Sequence, residues 1–420
     1  MLKRFIRNLF SERGDNYTFY RSNGSDFTFL ERAGLYVHIP FCRNKCPYCP
    51  YYKVNYSKDK AGKFKESILK EIDKYGYKFK YKTVDSIYFG GGTPTLLIDE
   101  MPDILKNIYK YFNVEGEIAL ETNPAEITKN IIVKLKKMNF GLISLGVQSF
   151  QQKFLDILGR KYSVRTTEKA VELLVNGGFN TINIDLMFVL PNQNIKDIEY
   201  DIDKALSLGV DQITFYPLFT FPYTSIGKLK KLKNIGLPNY YRRKKMYYYI
   251  YTRMKKEGFK QTSVWSFNRY GNKTYSSVTR DYYLGFGPSA ASYNGKGFYF
   301  NVFSVDEYIK MIDDRLPIVL KMNVSNRMAK LFWLYWRFYE TYVPIGRYKD
   351  IFKSDLYTDF GKLLKFIEIA GFARRNNDIL ELTIRGSYYI HLVQNYFALN
   401  YINKIWDKSW ENTKPDNISL

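Results

Sequence analysis

The chain is poor in cysteine and histidine, with three of the first and two of the second among 420 residues. Cysteines bunched in one short stretch cannot form a disulfide framework, and clustered thiolates need a reducing place, so the cytoplasm is the expected compartment. No run of about 18 uncharged apolar residues is present, which argues against a transmembrane helix. The N-terminus shows neither a signal-peptide core nor a cleavage site. Acidic residues are in deficit, 41 against 64 Lys and Arg, for a net charge of +23. Such a charge suits nucleic acid, a membrane surface or anionic ligands. The lysines are dispersed rather than blocked, and no RNP, zinc-finger or helix-turn-helix signature occurs. A Lys- and Tyr-rich bias is the simpler reading, and nucleic acid is not an expected partner. Ordinary hydrophobic and charged contents, 45% and 25%, fit a globular chain with room for two domains. A monomer is expected.

The three cysteines lie in the stretch 34–52, GLYVHIPFCRNKCPYCPYY, as Cys42, Cys46 and Cys49 with C-x3-C-x2-C spacing. Three thiolates in a loop after an apolar run suit an iron–sulfur cluster. A cube of four irons on three cysteines leaves one iron open to another ligand. Structural zinc wants four closed ligands, and His38, the nearby histidine, sits in an apolar strand that suggests packing. Three unrelated buried cysteines are the plain alternative.

From Leu35 onward, β-rich runs at 35–39, 84–89, 117–121, 142–148, 181–187 and 212–218 alternate with helical patterns near 61–75, 100–111, 128–138, 151–177 and 195–208. This alternation predicts parallel β/α units. Ile182–Val189 is read as an apolar strand covered on both faces. Residues 1–10 place Leu2, Phe5, Ile6, Leu9 and Phe10 on one helical face, which suits a docked terminal helix or an interfacial one. Beyond Phe219, residues 240–256 read as a barrel-covering helix with a basic, solvated face. The segment from Tyr275 to Tyr293 is rich in glycine and small residues, and 305–420 is mostly helical in pattern.

Distinctive residues sit at the predicted strand ends. Gly90, Gly91 and Gly92 allow close backbone approach, and Thr93 adds a hydroxyl. Glu121 can accept from ammonium or hydroxyl groups, though alone it would more often cap a helix or pair with a base. Gln148 offers both donor and acceptor. Arg160 supplies a bidentate fork for a carboxylate, or merely a solvated surface charge. Asp185 ends the fifth run.

Together, Tyr36-x-His38-Ile39-Pro40-Phe41-Cys42, the CPYC that follows, GGTP at 91–94, ETNP at 121–124, S-x-G-x-Q-S at 144–149, Leu158-Gly159-Arg160 and the run from Asp185 to Gln193 resemble radical S-adenosylmethionine enzymes. The lead-in resembles the oxygen-independent coproporphyrinogen III oxidase-like (HemN-like) family. That resemblance implies an α/β fold: a partial (β/α)6 barrel with a small, mainly helical C-terminal domain. It divides the chain into a lead-in (1–33), core barrel (34–230), barrel-covering extension (231–304) and C-terminal domain (305–420). It further implies a [4Fe–4S] cluster on Cys42, Cys46 and Cys49. One or two S-adenosylmethionine molecules would meet Tyr36, Gly91, Gly92, Thr93, Glu121, Gln148, Arg160 and Asp185. The resemblance also implies an electron donor such as flavodoxin or ferredoxin, and a small-molecule substrate of the anionic tetrapyrrole kind. Arg280, Arg242 and Arg243 are the candidate forks for its carboxylates. The sequence departs from the family in several places: Phe188 and Val189 replace its usual small or aromatic pair, and its long N-terminal substrate-gating motif is lacking. Pro50 and Tyr51 stand where the oxidases carry a further cysteine, and Val264–Asn268 lacks the histidine of the haem-chaperone branch. Methyl transfer and haem carriage therefore stand as alternatives to the oxidase reaction.

Overall fold

The computed structural model describes residues 17–22, 24, 27–78, 82–231, 236–274, 276 and 281–420. The terminal stretch 1–10 and Arg280 lie outside the described residues.

Six strands carry the core: β1 (Arg32–Ile39), β2 (Thr83–Gly91), β3 (Asn113–Thr122), β4 (Phe140–Gln148), β5 (Thr181–Phe188) and β6 (Gln212–Pro217). Each pairs in parallel with the next. Between them run α1 (Lys58–Gly76), α2 (Met101–Tyr111), α3 (Lys129–Lys137), α4 (Val164–Val175) and α5 (Ile195–Ser207). The helices start where the sequence supplies caps. Ser57, Thr128, Ser163 and Asn194 each accept a backbone N–H from the first turn, which satisfies donors the helix cannot. In α2 the buried set Met101, Ile104, Leu105, Ile108 and Tyr111 follows helical spacing and packs on the sheet.

Strand residues alternate between two faces. Val37, Phe89, Leu120, Ile143, Ile184 and Ile213 belong to the main apolar core beneath the helices. The other set faces inward, and it is not apolar throughout. Tyr36, Tyr88, Ala119 and Leu142 form a small cluster of their own. Asn183 donates to Asp185 and Ser144, at 2.9 and 2.7 Å, and accepts from Thr214 at 2.8 Å. Ile182–Val189 is covered on both faces as expected, but not by apolar groups alone: helices cover one face, and Asn183 and Asp185 belong to a polar interior on the other. The pattern over 151–177 also divides, into Gln152–Ile157 and α4. Gly159, at φ +67°, ends the first helix in a conformation glycine adopts without strain.

The sheet does not close. Beyond β6 it continues through Ser266–Arg269 to Phe259–Gln261, both antiparallel. Beyond β1 it gains a parallel neighbour, Tyr283–Phe286, then a series of antiparallel strands that includes Ile318–Asn323. The C-terminal part has a second apolar core around Leu334, Phe338, Val343, Tyr348, Leu364 and Leu380. A helix at Ile384–Phe397, a π-turn at Ala398–Ile402 and a helix at Asn403–Glu411 then lead back to the barrel mouth. No described helix is long and apolar enough to cross a membrane.

One buried carboxyl ties the extension to the barrel. Glu71 of α1 accepts from Gly287 N (2.8 Å), Asn301 Nδ2 (2.8 Å) and the Tyr308 hydroxyl (2.5 Å). Burial pushes its pKa up to about 7. Glu71→Ala strands three buried donors and should cost at least ~3 kcal/mol, while Glu71→Gln, which keeps an acceptor, should cost less. Urea denaturation of the apoprotein measures both. An Ala variant within ~0.5 kcal/mol of wild type would contradict this role.

Candidate active site

The cysteine loop leaves β1 at Pro40 and returns at Val54, where two contacts close its base. Val54 N donates to Pro40 O (2.7 Å) and Tyr56 N to Cys42 O (3.0 Å). The turn after β2 lies directly beneath. Gly92 N donates to Ile39 O and Thr93 N to Phe41 O, each at 2.7 Å. A Cβ on Gly92 would stand 2.4 Å from Phe41 O, so this approach needs glycine. Gly91, at φ +108°, needs it too.

His38 fixes the loop's far side. Its ring is buried, and burial lowers its pKa to about 4, so it is neutral with a single N–H. The backbone oxygen of Tyr52 can only accept, at 3.1 Å, which assigns the proton to Nε2; Nδ1 then accepts from the Tyr36 hydroxyl at 2.8 Å. The packing residue of the sequence reading is thus a polar pin. Gly159 provides another support, since a Cβ there would meet the Pro47 ring at 2.8 Å. Cys42 is buried beside the Thr93 hydroxyl at 3.7 Å, and burial pushes its thiol pKa up to about 11. Cys46 and Cys49 are half-buried.

Two carboxyls end neighbouring segments of the interior. Glu121 accepts from the Tyr88 hydroxyl and, at 3.3 Å, from Gly91 N. Burial raises its pKa against those two donors. Asp185 accepts from Ser144 Oγ at 3.3 Å as well as from Asn183. Burial first, then the charge of Glu121, push it up to about 7, against the pull of Asn183, Ser144 and Arg160. Arg160 lies between the rings of Tyr48 and Tyr162 and donates Nη2 to the Tyr48 hydroxyl at 2.6 Å. Its Nε is buried with no hydrogen-bond partner, and no carboxylate pairs with the guanidinium among the described residues. Gln148 and Val189 end β4 and follow β5 at φ +71° and +64°. A β-branched residue rarely occupies that region, and such backbone strain gathers at ligand sites.

One cavity of about 430 Å³ brings together Cys42, Cys46, Cys49, Gly91, Gly92, Thr93, Glu121, Gln148, Arg160 and Asp185. Tyr36 stands a step behind its wall, bonded to His38 and stacked on Tyr88. Tyr216 and Pro217 line the same cavity, whereas Phe215 packs in the core beneath the helices. Its outer part is aromatic, with Tyr51, Phe219, Phe221, Trp265 and Trp406. The last two come from far along the chain, and no local pattern marks them. Arg242 and Arg243 do not reach this cavity. Arg242 is exposed, and Arg243 turns inward to lie against the buried His391 ring, its Nη2 3.0 Å from Nε2, away from the cavity.

Comparison with known proteins follows this geometry. A family model described as the Radical SAM superfamily matches residues 36–205. The haem chaperone HemW of Lactococcus lactis subsp. lactis (strain IL1403) is 30% identical over 281 residues, covering 66% of this chain and 73% of that protein. The oxygen-independent coproporphyrinogen III oxidase of Escherichia coli (strain K12) is 24% identical over 381 residues, covering 84% and 82%. The solved structure of coproporphyrinogen III oxidase (HemN) from Escherichia coli superposes with a TM-score of 0.77 at 20% identity, over 91% of this chain and 95% of that one.

Asp185 gives a pH test of the interior. Its pKa rises from 3.8 to about 7 on folding, so the folded state holds the proton more tightly. Stability is therefore lost as pH climbs through that window, by at most ~1.4 kcal/mol per unit for one group. Denaturant unfolding of the apoprotein between about pH 5 and pH 7.5 should show this fall. Asp185→Asn should flatten it. Glu71, Glu121 and Asp201, also raised, add to the fall, and His38 and His391, lowered, oppose it below about pH 6.5. The difference between variant and wild type therefore reads Asp185, and an unchanged slope in the variant would count against a protonated Asp185.

Proposed function

Because this chain belongs to the coproporphyrinogen III oxidase-like (HemN-like) family of radical S-adenosylmethionine proteins, we propose that it cleaves S-adenosylmethionine reductively and acts on an anionic tetrapyrrole. The family's cofactors are a [4Fe–4S] cluster and S-adenosylmethionine, and the residues present fit both. Cys42, Cys46 and Cys49 share a cavity with a glycine cradle, two inward carboxyls and an arginine that lacks an acidic partner. The Arg160 guanidinium, which lines the cavity without an acidic partner among the described residues, is the observation that carries the fit, because a desolvated cation there calls for an anionic group from a ligand.

When bound, the cluster and S-adenosylmethionine together supply a 5′-deoxyadenosyl radical by one-electron reduction. The chain's own groups bind and orient. Arg160 takes the amino-acid carboxylate through its fork. Glu121 and the Thr93 hydroxyl receive the ammonium, and the bare backbone of Gly91 and Gly92 lets it come close. Gln148 and Asp185 receive the ribose hydroxyls. The aromatic outer cavity, also lined by Ile402 and Trp406, offers ring faces against which the pyrroles of such a substrate can pack.

Turnover is favoured over haem carriage by the positions of the two histidines. Neither lines the cavity: His38 is bonded at both ring nitrogens, and His391 lies behind Trp265, accepting its indole N–H at Nδ1 (2.8 Å). An imidazole for the haem iron is thus not on offer.

Anaerobic reconstitution should load about four irons and four sulfides per chain, and replacing Cys42, Cys46 and Cys49 together with Ala should abolish this. With dithionite and S-adenosylmethionine the loaded protein should release 5′-deoxyadenosine. Adding coproporphyrinogen should give a decarboxylated product by mass spectrometry. A methylated product would favour the methyltransferase reading instead. Haem binding seen in the Soret band, without any 5′-deoxyadenosine, would favour the chaperone reading. A triple variant that keeps a normal cluster spectrum would refute the assignment of the cysteines.

A further inference from the structure

Lys53 follows the last cysteine by one turn of loop and is only 6% exposed. Its Nζ donates to Cys49 O at 3.0 Å and to Tyr51 O at 3.2 Å. An ammonium carries three donors, so two are accounted for. No carboxylate pairs with it among the described residues. The same side chain lines the cavity that holds Cys42, Cys46 and Cys49.

A buried charge without a counter-charge is costly, and two carbonyl dipoles compensate it in part. A solvated surface lysine would incur no such cost, and a purely structural tie could be made by an uncharged amide. The position therefore calls for an anion inside the cavity. Three thiolates around an iron–sulfur cluster supply one. Reduction by one electron adds negative charge to that group, and a fixed cation beside it favours the reduced form; net charge and hydrogen bonding are levers on cluster potential.

We propose that Lys53 is the cluster's built-in counter-charge, a positioning residue that ties down the carbonyls of Cys49 and Tyr51 and raises the cluster's reduction potential. This rests on the reading that Cys42, Cys46 and Cys49 hold a [4Fe–4S] cluster, and it goes beyond that reading by naming what tunes the cluster. The bonds to Cys49 O and Tyr51 O fix the loop where it leaves the last ligand, so the same ammonium sets both geometry and field.

The experiment compares reconstituted wild type with Lys53→Met, Lys53→Gln and Lys53→Arg. Iron and sulfide are assayed first, then each protein is titrated with dithionite under redox mediators and the reduced cluster is followed by electron paramagnetic resonance. Wild type that takes up no iron would defeat the cluster reading itself, a result separate from the role of Lys53. With wild type loaded, Lys53→Met and Lys53→Gln should lower the ratio of reduced to oxidised cluster about tenfold at a fixed potential, a shift of ~59 mV to more negative values. Lys53→Arg, which keeps the charge, should stay near wild type. Where Lys53→Met fails to load, Lys53→Gln decides, because it keeps a donor for the carbonyls and drops only the charge. Failure of both with Lys53→Arg loaded also supports the proposal, since loading then needs the cation. Equal potentials in all loaded proteins would overturn it. So would an equal drop in Lys53→Arg, or loss of cluster from all three with native circular dichroism.

Discussion

The carbonyl of Phe41 lies so close to Gly92 that no side chain fits between them, and the site is built on that contact. A Cβ at 2.4 Å would drive the β2 turn away from the cysteine loop. Without one, Gly92 N and Thr93 N bond the loop's own backbone, and Thr93 reaches the Cys42 sulfur. Two more contacts complete a three-point mount. His38 holds the carbonyl of Tyr52, and Pro47 rests where Gly159 has no Cβ. The loop has almost no regular structure, so its geometry is imposed by the elements beneath it. Backbone hydrogen bonds and steric limits do this more rigidly than side-chain packing alone.

Placing carboxyls inside a barrel has a cost that the outer core offsets. Glu121 and Asp185 are both desolvated, and the charge of Glu121 raises the proton affinity of Asp185. Hydroxyl and amide donors from Ser144, Asn183 and Tyr88 relieve only part of this. A ligand that brings an ammonium and hydroxyl donors would relieve more, so the cost of burying these groups favours such a ligand. The same logic covers Arg160, whose Nε lacks an acceptor. The apolar layer beneath the helices, with Val37, Phe89, Ile143 and Ile184 almost wholly buried, supplies the stability that tolerates these polar groups.

Much of this arrangement was legible in the chain because it is local. The β/α alternation follows from hydrophobic periods, and strand ends are marked by glycine and polar residues that a core has no use for. Gly91, Gly92, Glu121, Gln148 and Asp185 each announce themselves within a few residues of an apolar run. The misreadings have physical causes. Ile182–Val189 is covered on both sides, yet it contains Asn183 and Asp185, whose period of two marks a polar inner face rather than an apolar one. The pattern over 151–177 crosses Gly159 because apolar spacing resumes in phase after it. Arg243 looked free to meet a substrate because a sequence cannot show that it packs against His391, far along the chain. Trp265 and Trp406 carry no local mark, since their place is set by long-range packing.

The two halves of the cavity thus differ in origin. The inner half comes from strand ends whose spacing is fixed by the sheet, so its chemistry is tied to the fold. The outer half comes from Trp265 and from the C-terminal π-turn and helix, which pack on the barrel through side chains and are free to vary without disturbing the strands. Tyr51 touches both: it belongs to the cysteine loop, and its ring meets Trp406 edge to face at 6.3 Å. A site built this way can keep its inner groups constant while its outer face changes. On the function proposed above, the residues that would distinguish one substrate from another are therefore those of the outer half, Tyr51, Trp265 and Trp406, rather than the strand-end set whose spacing the sheet fixes.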